Sequence, residues 1–429
     1  MKKVPVVSVT APASAERLAG LSFEATITMD DLAVTLRDGL LAMTTAAGLV
    51  VMRQMLDAEL VSIVGAKHSK LPDRVGNHHG TTTGKVTLGG RKVSVERPRG
   101  RRVDGGEIEL DSWSTFTSSD PLRQIIVERM LAGVATRRYT LVAEPIPGVD
   151  AKGTSKSAVS RTFVAATQDL VDEMLNRDLS DLDVAVLMID GLNVAGQMII
   201  VALVICADGT KVPVGLRLGD TENMMVVKDL LADLVDRGLR FEQGILAVLD
   251  GAKALHKAVT KVFGTAAKIQ RCTLHKRRNV TGYLPEKKRK AIDKRLASAF
   301  AAAEADKGIA ECRRLAAQLK GEHPDAAASL LEGLDEMFTV ARLGITGALR
   351  RTLTNTNCIE SMISIVRTVT ARVKHWHDGD MKKRWIVTGM TEAQRSFRRV
   401  RGHRDMPNLV AVLRHSPNPA TPNNYAKAA

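Results

Sequence analysis

The chain has 429 residues, 45% of them hydrophobic, which is enough for two or three domains with at least one sizeable core. A disordered tail protein is therefore excluded, and the sequence has no run of about eighteen apolar residues that could span a bilayer. The net charge of +15 favours a polyanionic partner such as nucleic acid, although a merely basic surface is the alternative. The four cysteines are widely spaced and show no disulfide framework, so we expect a cytoplasmic, nucleoid-associated protein.

Residues 25–120 are predicted to form helices followed by a basic hairpin, after a flexible N-terminus over residues 1–24. The stretch GKVTLGGRKVSVERPRGRR alternates apolar and polar residues around Gly89-Gly90, a pattern typical of a β-hairpin. Its polar face is strongly basic and could contact phosphates. A solvated edge strand protected by charge explains the same residues equally well.

Residues 121–180 are predicted to form a helix-turn-helix-like DNA-binding region. Two helical patterns are separated by a loop that contains Pro145, Pro147 and Gly148. The second helix begins at a Thr154/Ser155 cap, and its first turns carry the polar residues of a recognition helix: Ser155, Lys156, Ser160 and Arg161. The loop is longer than in a compact helix-turn-helix, so a plain helical linker domain is the alternative.

Residues 181–282 alternate between strands and helices. The apolar segment DVAVLMIDG predicts a buried strand, and two further strands follow, joined by an Asp208-Gly209 turn. An amphipathic helix ending at Gly238, the strand GILAVLDGA, the helix AKALHKAVTKVFG and the strand AAKIQRCTLH come next. Three antiparallel strands followed by alternating helices and strands is the order of a ribonuclease H-like core, so we predict an α/β fold of that class.

The remaining sequence is predicted to be helical. Residues 283–350 are rich in alanine, leucine and charge and contain no strand pattern, which indicates a helical insertion in the core. Residues 351–415 are predicted to form the C-terminal helices of the core, beginning near TNTNCIESM. We expect the tail over residues 416–429 to be disordered.

Three carboxylates are candidates for a metal-dependent catalytic site. Two predicted strands end in the same way, in an apolar run followed by Asp190-Gly191 and by Asp250-Gly251. If these are the first and fourth strands of the sheet, they are neighbours, and both carboxylates emerge at one edge. Glu360 would join them from the C-terminal helix. A lone Asp after a strand more often starts a turn, so the set of three carries the argument.

Such a cluster is stable only with a cation, because two carboxylates about 4 Å apart repel by about 4 kcal/mol at an effective dielectric of 20. Hard oxygen ligands favour Mg²⁺ or Mn²⁺. Two such ions roughly 4 Å apart can promote in-line displacement at phosphorus, with water or a 3′ hydroxyl as the attacking group.

The chain resembles the Mutator-type insertion-sequence transposases of bacteria. Five blocks match in order: LMIDG, PVGLRLGDTEN, VLDGAKAL, IQRCTLHKRRNV and TNTNCIESM. With the hairpin, AGVATRRY and SKSAVSRTF upstream and SIVRTVTARVKHW and MKKRW downstream, the resemblance covers about residues 25 to 415. The resemblance implies a ribonuclease H-like fold, an Asp-Asp-Glu triad, recognition of the terminal inverted repeats of double-stranded DNA, and insertion with target duplication. Because two element ends must be brought together, a homodimer is expected.

The resemblance also implies that His275 lies near the site and contacts the scissile phosphate or adjacent DNA. A partly buried, hydrogen-bonded histidine is the alternative, and the Cys272/His275 pair alone cannot close a zinc site. Further DNA-binding candidates are the basic segment after this histidine and an arginine seven residues after Glu360: Lys276, Arg277, Arg278, Asn279 and Arg367. Trp376 and Trp385 could stack on an unpaired base, but core packing is favoured.

The sequence therefore predicts a transposase that cuts and rejoins the ends of a mobile element. Two other functions share its features. One is a ribonuclease H-like nuclease without strand transfer, and the other is a sequence-specific DNA-binding protein that has lost turnover.

Overall fold

The computed structural model describes most of the chain between residues 40 and 415, namely residues 40–69, 74–88, 91–118, 123–134, 139, 156–219 and 223–415. The tails predicted over residues 1–24 and 416–429 lie outside this part. The chain divides into two compact units, Met1–Ala166 and Thr167–Ala429. None of the described helices has the length and apolar character needed to cross a membrane.

The first unit contains a long helix and a two-stranded hairpin. Helix α1 (Leu40–Val64) is followed by β1 (Gly76–Leu88) and β2 (Arg91–Arg102), which pair antiparallel with Val86 opposite Val93. These two valines are buried with Leu56 and Leu60 of α1 in a small core. The structure confirms the predicted hairpin, although its Gly89-Gly90 turn lies outside the described residues. Two short helices follow the hairpin, α2 (Asp111–Ser118) and α3 (Arg123–Leu131).

Several cations of the hairpin have acidic or aromatic partners within the same unit. Arg99 donates two hydrogen bonds to Glu107, at 2.9 and 3.2 Å. The guanidinium of Arg97 lies 5.0 Å from the centre of the Trp113 ring. These two arginines therefore fit the alternative interpretation of the hairpin, a solvated edge strand protected by charge.

Helix α4 (Lys156–Asn176) leads into the second unit. The loop and the Thr154/Ser155 cap predicted before it lie outside the described residues, so the helix-turn-helix stays a prediction. Lys156, Ser160 and Arg161 are exposed on the first turns of α4.

A five-stranded sheet forms the centre of the second unit. Strands β3 (Val184–Val194), β4 (Gln197–Cys206) and β5 (Lys211–Gly219) are antiparallel neighbours, whereas β6 (Ile245–Leu249) and β7 (Ala267–Arg271) add to the other side of β3 in parallel. The spatial order is β5-β4-β3-β6-β7. The two strands that carry or precede the Asp-Gly pairs are therefore neighbours, as the sequence predicted. The predicted end of β3 was wrong, because the strand continues past Asp190, which lies opposite Val201 of β4, to Val194.

The sheet separates two apolar cores. Successive residues of β3 alternate between them, with Val186 and Met188 in one core and Leu187 and Ile189 in the other, as the period of a strand requires. Helices α5 (Met224–Asp236) and α6 (Lys253–Phe263) cover the second face. The continuous apolar run of β3 reflects burial on both faces.

The sequence misplaced the end of the fifth strand. The prediction extended this strand through His275, but β7 ends at Arg271, and helix α7 (Thr273–Gly282) follows at once. Cys272 stands at the N-cap position of α7 and makes no side-chain capping hydrogen bond. No serine, threonine, aspartate or asparagine precedes the helix, so the sequence carried no start signal there.

The predicted insertion is helical and has its own core, in which Leu296, Leu315 and Phe338 are buried. It returns to the sheet through Gln270 of β7, whose fully buried amide accepts from the backbone N–H of Val340 and donates to the carbonyl of Met337, both at 2.9 Å. The helices of this core are α8 (Glu286–Phe300), α9 (Ala305–Leu319) and α10 (Pro324–Leu331). The following helices, α11 (Thr339–Arg342) and α12 (Gly347–Leu353), place Val340 and Leu349 in the core beside the sheet.

The last helices close the first core. Ile359, Met362 and Val366 lie on one stripe of α13 (Asn357–Thr370) and are buried against the sheet. Helices α14 (Gly379–Arg395) and α15 (Met406–His415) supply further residues of the same core, including Ile386 and Leu409. The first turn of α13 is thereby fixed beside the sheet.

Candidate active site

Asp190 and Asp250 lie side by side at one edge of the sheet. Ile189 of β3 is in register with Leu249 of the parallel strand β6, and each aspartate is the next residue of its chain segment. One carboxylate oxygen of Asp190 accepts from the backbone N–H of Gly191 at 2.8 Å. One oxygen of Asp250 accepts from the N–H of Ala252 at 2.8 Å, just before α6. Each carboxylate is thus held by a local backbone hydrogen bond.

Glu360 extends from the first turn of α13 and is fixed by the residue at the start of that helix. The Thr356 hydroxyl donates to Glu360 Oε1 at 2.9 Å. Thr356 occupies the N-cap position but makes no side-chain capping bond. The adjacent Asn355 accepts instead from the N–H of Asn357 at 3.0 Å. Asn355 therefore satisfies a backbone N–H at the start of the helix, and the fully buried Thr356 orients a candidate ligand.

His275 of α7 faces the same glutamate. Its Nε2 lies 3.5 Å from Glu360 Oε1, and its Nδ1 lies 3.4 Å from the hydroxyl of Thr356. The start of α7 is joined to the segment before α13 by Thr273, whose N–H and hydroxyl both donate to the carbonyl of Thr354 at 2.9 Å. These bonds bring residues that are far apart in sequence into one cluster.

The charges of Asp250 and Glu360 shift the pKa values of both Asp190 and His275. Burial, together with the charges of Asp250 and Glu360, raises the pKa of Asp190 to about 7, against the opposing effects of the Gly191 N–H and of His275. A hydrogen bond with Cys272 and the charges of Glu360 and Asp250 raise the pKa of His275 to about 9, although burial opposes the change. At neutral pH the histidine is therefore a cation next to three carboxyl groups.

The donor set of this cluster fits a hard divalent cation. Three carboxylates supply oxygen ligands, and their mutual repulsion, together with burial, keeps one of them half protonated near neutrality, a cost that a bound cation removes. The carboxylates are not gathered into a coordination shell. Throughout the described ranges, no three His, Cys, Asp or Glu side chains stand close enough to hold a metal ion.

Lys276 is not part of the positive wall that the sequence predicted. It is 3% exposed, and its ammonium donates to the carbonyls of Ser329 and Glu332 at 2.6 and 2.9 Å. Burial lowers its pKa. Lys276 lies on the inward face of α7, at helical spacing between Cys272 and Val280. Because Lys276, Arg277 and Arg278 are all basic, the sequence did not indicate that one of them points inward.

The other predicted DNA-binding residues lie at the surface or outside the described part. Arg278 and Asn279 are exposed, whereas Arg277 is half-buried and paired with Asp293. Arg367 is exposed on α13, and no acid among the described residues lies within ion-pair distance of it. Ser155 is outside the described residues.

Two aromatic residues weighed as stacking platforms pack in the protein. Trp385 is 7% exposed, and Trp376 is partly buried against the core formed with α13 and α14. Sequence reasoning missed Thr356. Its only signal was its position one helical turn before Glu360, which puts the two side chains on one face.

Comparison with known families identifies the class of this chain. The family described as "Transposase, Mutator family" matches residues 22–400. The chain belongs to the Mutator family of transposases, which confirms the resemblance that the sequence blocks carried.

Individual relatives agree with that assignment. The chain is 30% identical over 250 residues to the transposase for insertion sequence element IS6120 of Mycolicibacterium smegmatis, covering 57% of this chain and 75% of the relative. It is 24% identical to the transposase for IS905 of Lactococcus lactis over 79% of this chain and 85% of the relative. The transposase for IS256 in transposon Tn4001 of Staphylococcus aureus is 24% identical over 74% and 81% of the two chains.

Proposed function

We propose that this chain is the transposase of a bacterial insertion sequence, which binds the terminal inverted repeats and catalyses metal-dependent cleavage and strand transfer through Asp190, Asp250 and Glu360. The observation that carries the proposal is the placement of the two aspartates on neighbouring parallel strands, together with Glu360, whose carboxylate lies 3.5 Å from His275 of the same cluster. Membership of a transposase family supplies the reaction class.

The sheet supports a ribonuclease H-like core within this proposal. Its three antiparallel strands followed by two parallel ones, in the order β5-β4-β3-β6-β7, match the arrangement expected for that fold. In this arrangement the first and fourth strands carry the two aspartates at one edge, and a later helix brings the third carboxylate.

The residues of the chain have distinct roles in the proposed reaction. Asp190, Asp250 and Glu360 would hold two Mg²⁺ or Mn²⁺ ions, which supply Lewis-acid stabilisation for displacement at phosphorus by water or by a freed 3′ hydroxyl. Thr356 fixes the orientation of Glu360 through its hydroxyl. The protonated His275 presents a positive charge beside Glu360, where an anionic phosphate oxygen can accept its Nε2 hydrogen. Asp190 must release its proton before it can act as a ligand.

The partner in this proposal is double-stranded DNA, both the terminal inverted repeats and the target. The net charge of +15 supports a polyanionic partner. The exposed Arg278, Asn279 and Arg367, together with Ser155, Lys156, Ser160 and Arg161, are the proposed contacts. A homodimer on paired ends follows from the need to join two ends, and the protein would act at the nucleoid.

The experiment is a cleavage and joining assay with labelled element ends, taken from the imperfect inverted repeats expected beside the coding frame, and a target plasmid in Mg²⁺ or Mn²⁺. Asparagine at position 190 or 250, and glutamine at position 360, keep the oxygen that accepts the local hydrogen bond while removing the charge. We expect Asp190→Asn, Asp250→Asn and Glu360→Gln each to abolish cut and joined products while end binding persists. Asp229→Asn, at an exposed carboxylate of α5, is the matched control.

The outcomes separate the competing functions. Cut products without joined products would assign a nuclease, and binding without any product in either metal would assign a DNA-binding protein. Full cleavage by Asp250→Asn would reject the triad.

A further inference from the structure

An open groove lies next to the carboxylate cluster, between the start of α6, the end of α7 and helix α10. It has a volume of about 700 Å³, within the range of ~300–1,000 Å³ typical of small-ligand sites. Lys253, which lies three residues after Asp250, forms part of its wall. Asn279, another wall residue, lies beside Gly251, since a Cβ built on that glycine would be 3.9 Å from the Asn279 amide nitrogen. The groove therefore opens directly beside Asp250.

Tyr283 supplies an aromatic surface in this groove. Its side chain is 57% exposed, and it is the one aromatic residue among the exposed large hydrophobic residues in the described part of the chain. Its backbone is fixed, because its N–H donates to the carbonyl of Val280 at the end of α7. A ring on an ordered backbone loses little entropy when a flat partner stacks on it.

The wall of the groove opposite Tyr283, formed by α10 and Glu332, is held at a fixed distance from α7. The buried ammonium of Lys276 joins α7 to α10 and the residues after it, through the carbonyls of Ser329 and Glu332. Ser329 and Glu332 also line the groove. The space between Tyr283 and this wall is therefore set by an internal hydrogen-bonded brace.

The charges of the groove favour an uncharged polar ligand. Its ionised side chains are two cations and two anions, so their formal charges cancel: Lys253, Arg278, Asp325 and Glu332. A phosphate would meet both carboxylates there. A nucleobase carries no charge, has an aromatic face for Tyr283, and has polar edges that the Asn279 amide can recognise.

We propose that this groove binds one unpaired base of the DNA strand that is cut, with its face stacked on Tyr283 and its edge toward Asn279. This inference rests on the proposed function, since the base reaches the groove only if its phosphodiester lies at Asp250. Extracting a base from the duplex costs unstacking and pairing energy, which the stacking on tyrosine offsets. The bound base fixes the register of the strand, so that one particular phosphodiester is presented to the carboxylates.

The test measures binding of the full-length protein to two duplexes that carry the terminal inverted repeat, without divalent metal so that no cleavage occurs. One duplex is fully paired, and the other has a single mismatched base next to the cleavage position. The wild type should prefer the mismatched duplex, because its base is already unpaired. Tyr283→Ala should weaken binding to that duplex by about tenfold, the loss of one base–aromatic stack, and abolish the preference. Tyr283→Phe and Tyr283→Trp should keep it.

Two further measurements keep the inference open to refutation. Replacing the mismatched base by an abasic residue should remove the preference, and the preference should not change between about 50 and 200 mM salt, because a base carries no charge. A preference that survives in Tyr283→Ala, or that follows salt as a phosphate contact does, overturns the groove assignment. Parallel cleavage assays report separately on the proposed function, which stands if the wild type cuts and joins while the groove prediction fails.

Discussion

Thr356 connects three groups of the candidate site through one hydroxyl. A hydroxyl has one proton to donate and lone pairs to accept. The proton goes to Glu360, and the ring Nδ1 of the protonated His275, 3.4 Å away, can donate to the oxygen. The Sγ atom of Cys272 also lies 3.4 Å from it. The orientation of the glutamate and that of the histidine therefore depend on the same buried side chain.

Replacing this hydroxyl should reduce cleavage without preventing DNA binding. Thr356→Val keeps the shape of the side chain and removes the hydrogen bond, so we expect the cleavage rate to fall about 10- to 100-fold, as for other residues that orient metal ligands. The metal concentration for half-maximal cleavage should rise, which a purely structural role would not produce. Thr356→Ser should restore both values. Wild-type metal dependence in the valine variant would contradict the assigned role.

The raised pKa of Asp190 predicts how the stability of the metal-free protein changes with pH. Since its pKa is about 7 in the folded chain and about 4 in the unfolded chain, the folded protein holds the extra proton between these values. Stability is therefore fully present below about pH 4 and is lost as pH rises through 7. Asp190→Asn should match the wild type at pH 4 and exceed it at pH 8, by on the order of 1 to 3 kcal/mol in the free energy of unfolding.

Urea unfolding at the two pH values, without metal, measures this difference. Added Mg²⁺ should stabilise the wild type at pH 8 by mass action but not the asparagine variant. The charge of His275 already lowers the pKa of Asp190, so the effect of the histidine on this aspartate is contained in the expected difference. Equal stability of the two proteins at both pH values would show that folding does not raise the pKa of Asp190.

The carboxylates could be found from sequence because each followed a recognisable element. A continuous apolar run followed by Asp-Gly marks the point where a buried strand reaches a polar edge, as at Asp190 and Asp250, although β3 itself continues to Val194. The roles of Thr356 and Lys276 could not be found in this way. Each depends on which neighbour the side chain meets in the folded chain, and those partners are the carboxylate of Glu360 and two carbonyl groups of the insertion.

Helix α7 carries structural and exposed cations on different faces. Lys276 points inward and braces α7 against α10, whereas Arg278 is exposed at the groove. We expect Lys276→Met to lower the free energy of unfolding by about 1 to 3 kcal/mol, because it leaves buried carbonyls without their donor. Arg278→Met should change stability by less than about 0.5 kcal/mol. It should instead lower the affinity for DNA and reduce the salt dependence by about one contact.

Chemical unfolding and DNA binding over a range of salt concentrations, measured on both variants, distinguish the two roles. A loss of DNA affinity in Lys276→Met at unchanged stability would contradict the interior placement of this residue.

Most strands and helices of the second unit followed from local patterns. Helix α5 begins at Asn223, which caps it by accepting from the N–H of Val226 at 3.0 Å. The hairpin between β4 and β5 turns at Asp208, which accepts from Thr210, and at Gly209, whose φ of +85° favours glycine. The predicted boundary between β7 and α7 was wrong because Cys272 gives no capping signal.

At the scale of the whole molecule, the insertion is an added body with its own core rather than an extension of the sheet. The chain leaves the sheet after β7, forms the insertion, and returns at α12 and α13. Gln270 holds the returning segment against the sheet from which it departed. This arrangement explains why the long interval between Asp250 and Glu360 does not separate them in space.

The late position of Glu360 has a consequence for protein synthesis. The hairpin unit, the sheet and both aspartates have all been translated before the last carboxylate. Because α13 to α15 close the first core, a message that ends before residue 356 would encode a chain that lacks Glu360 and leaves one apolar face of β3 uncovered. Nonsense mutations in this part of the gene would therefore remove folding and cleavage together, so a truncated copy of the element would not yield a stable competitor of the intact protein.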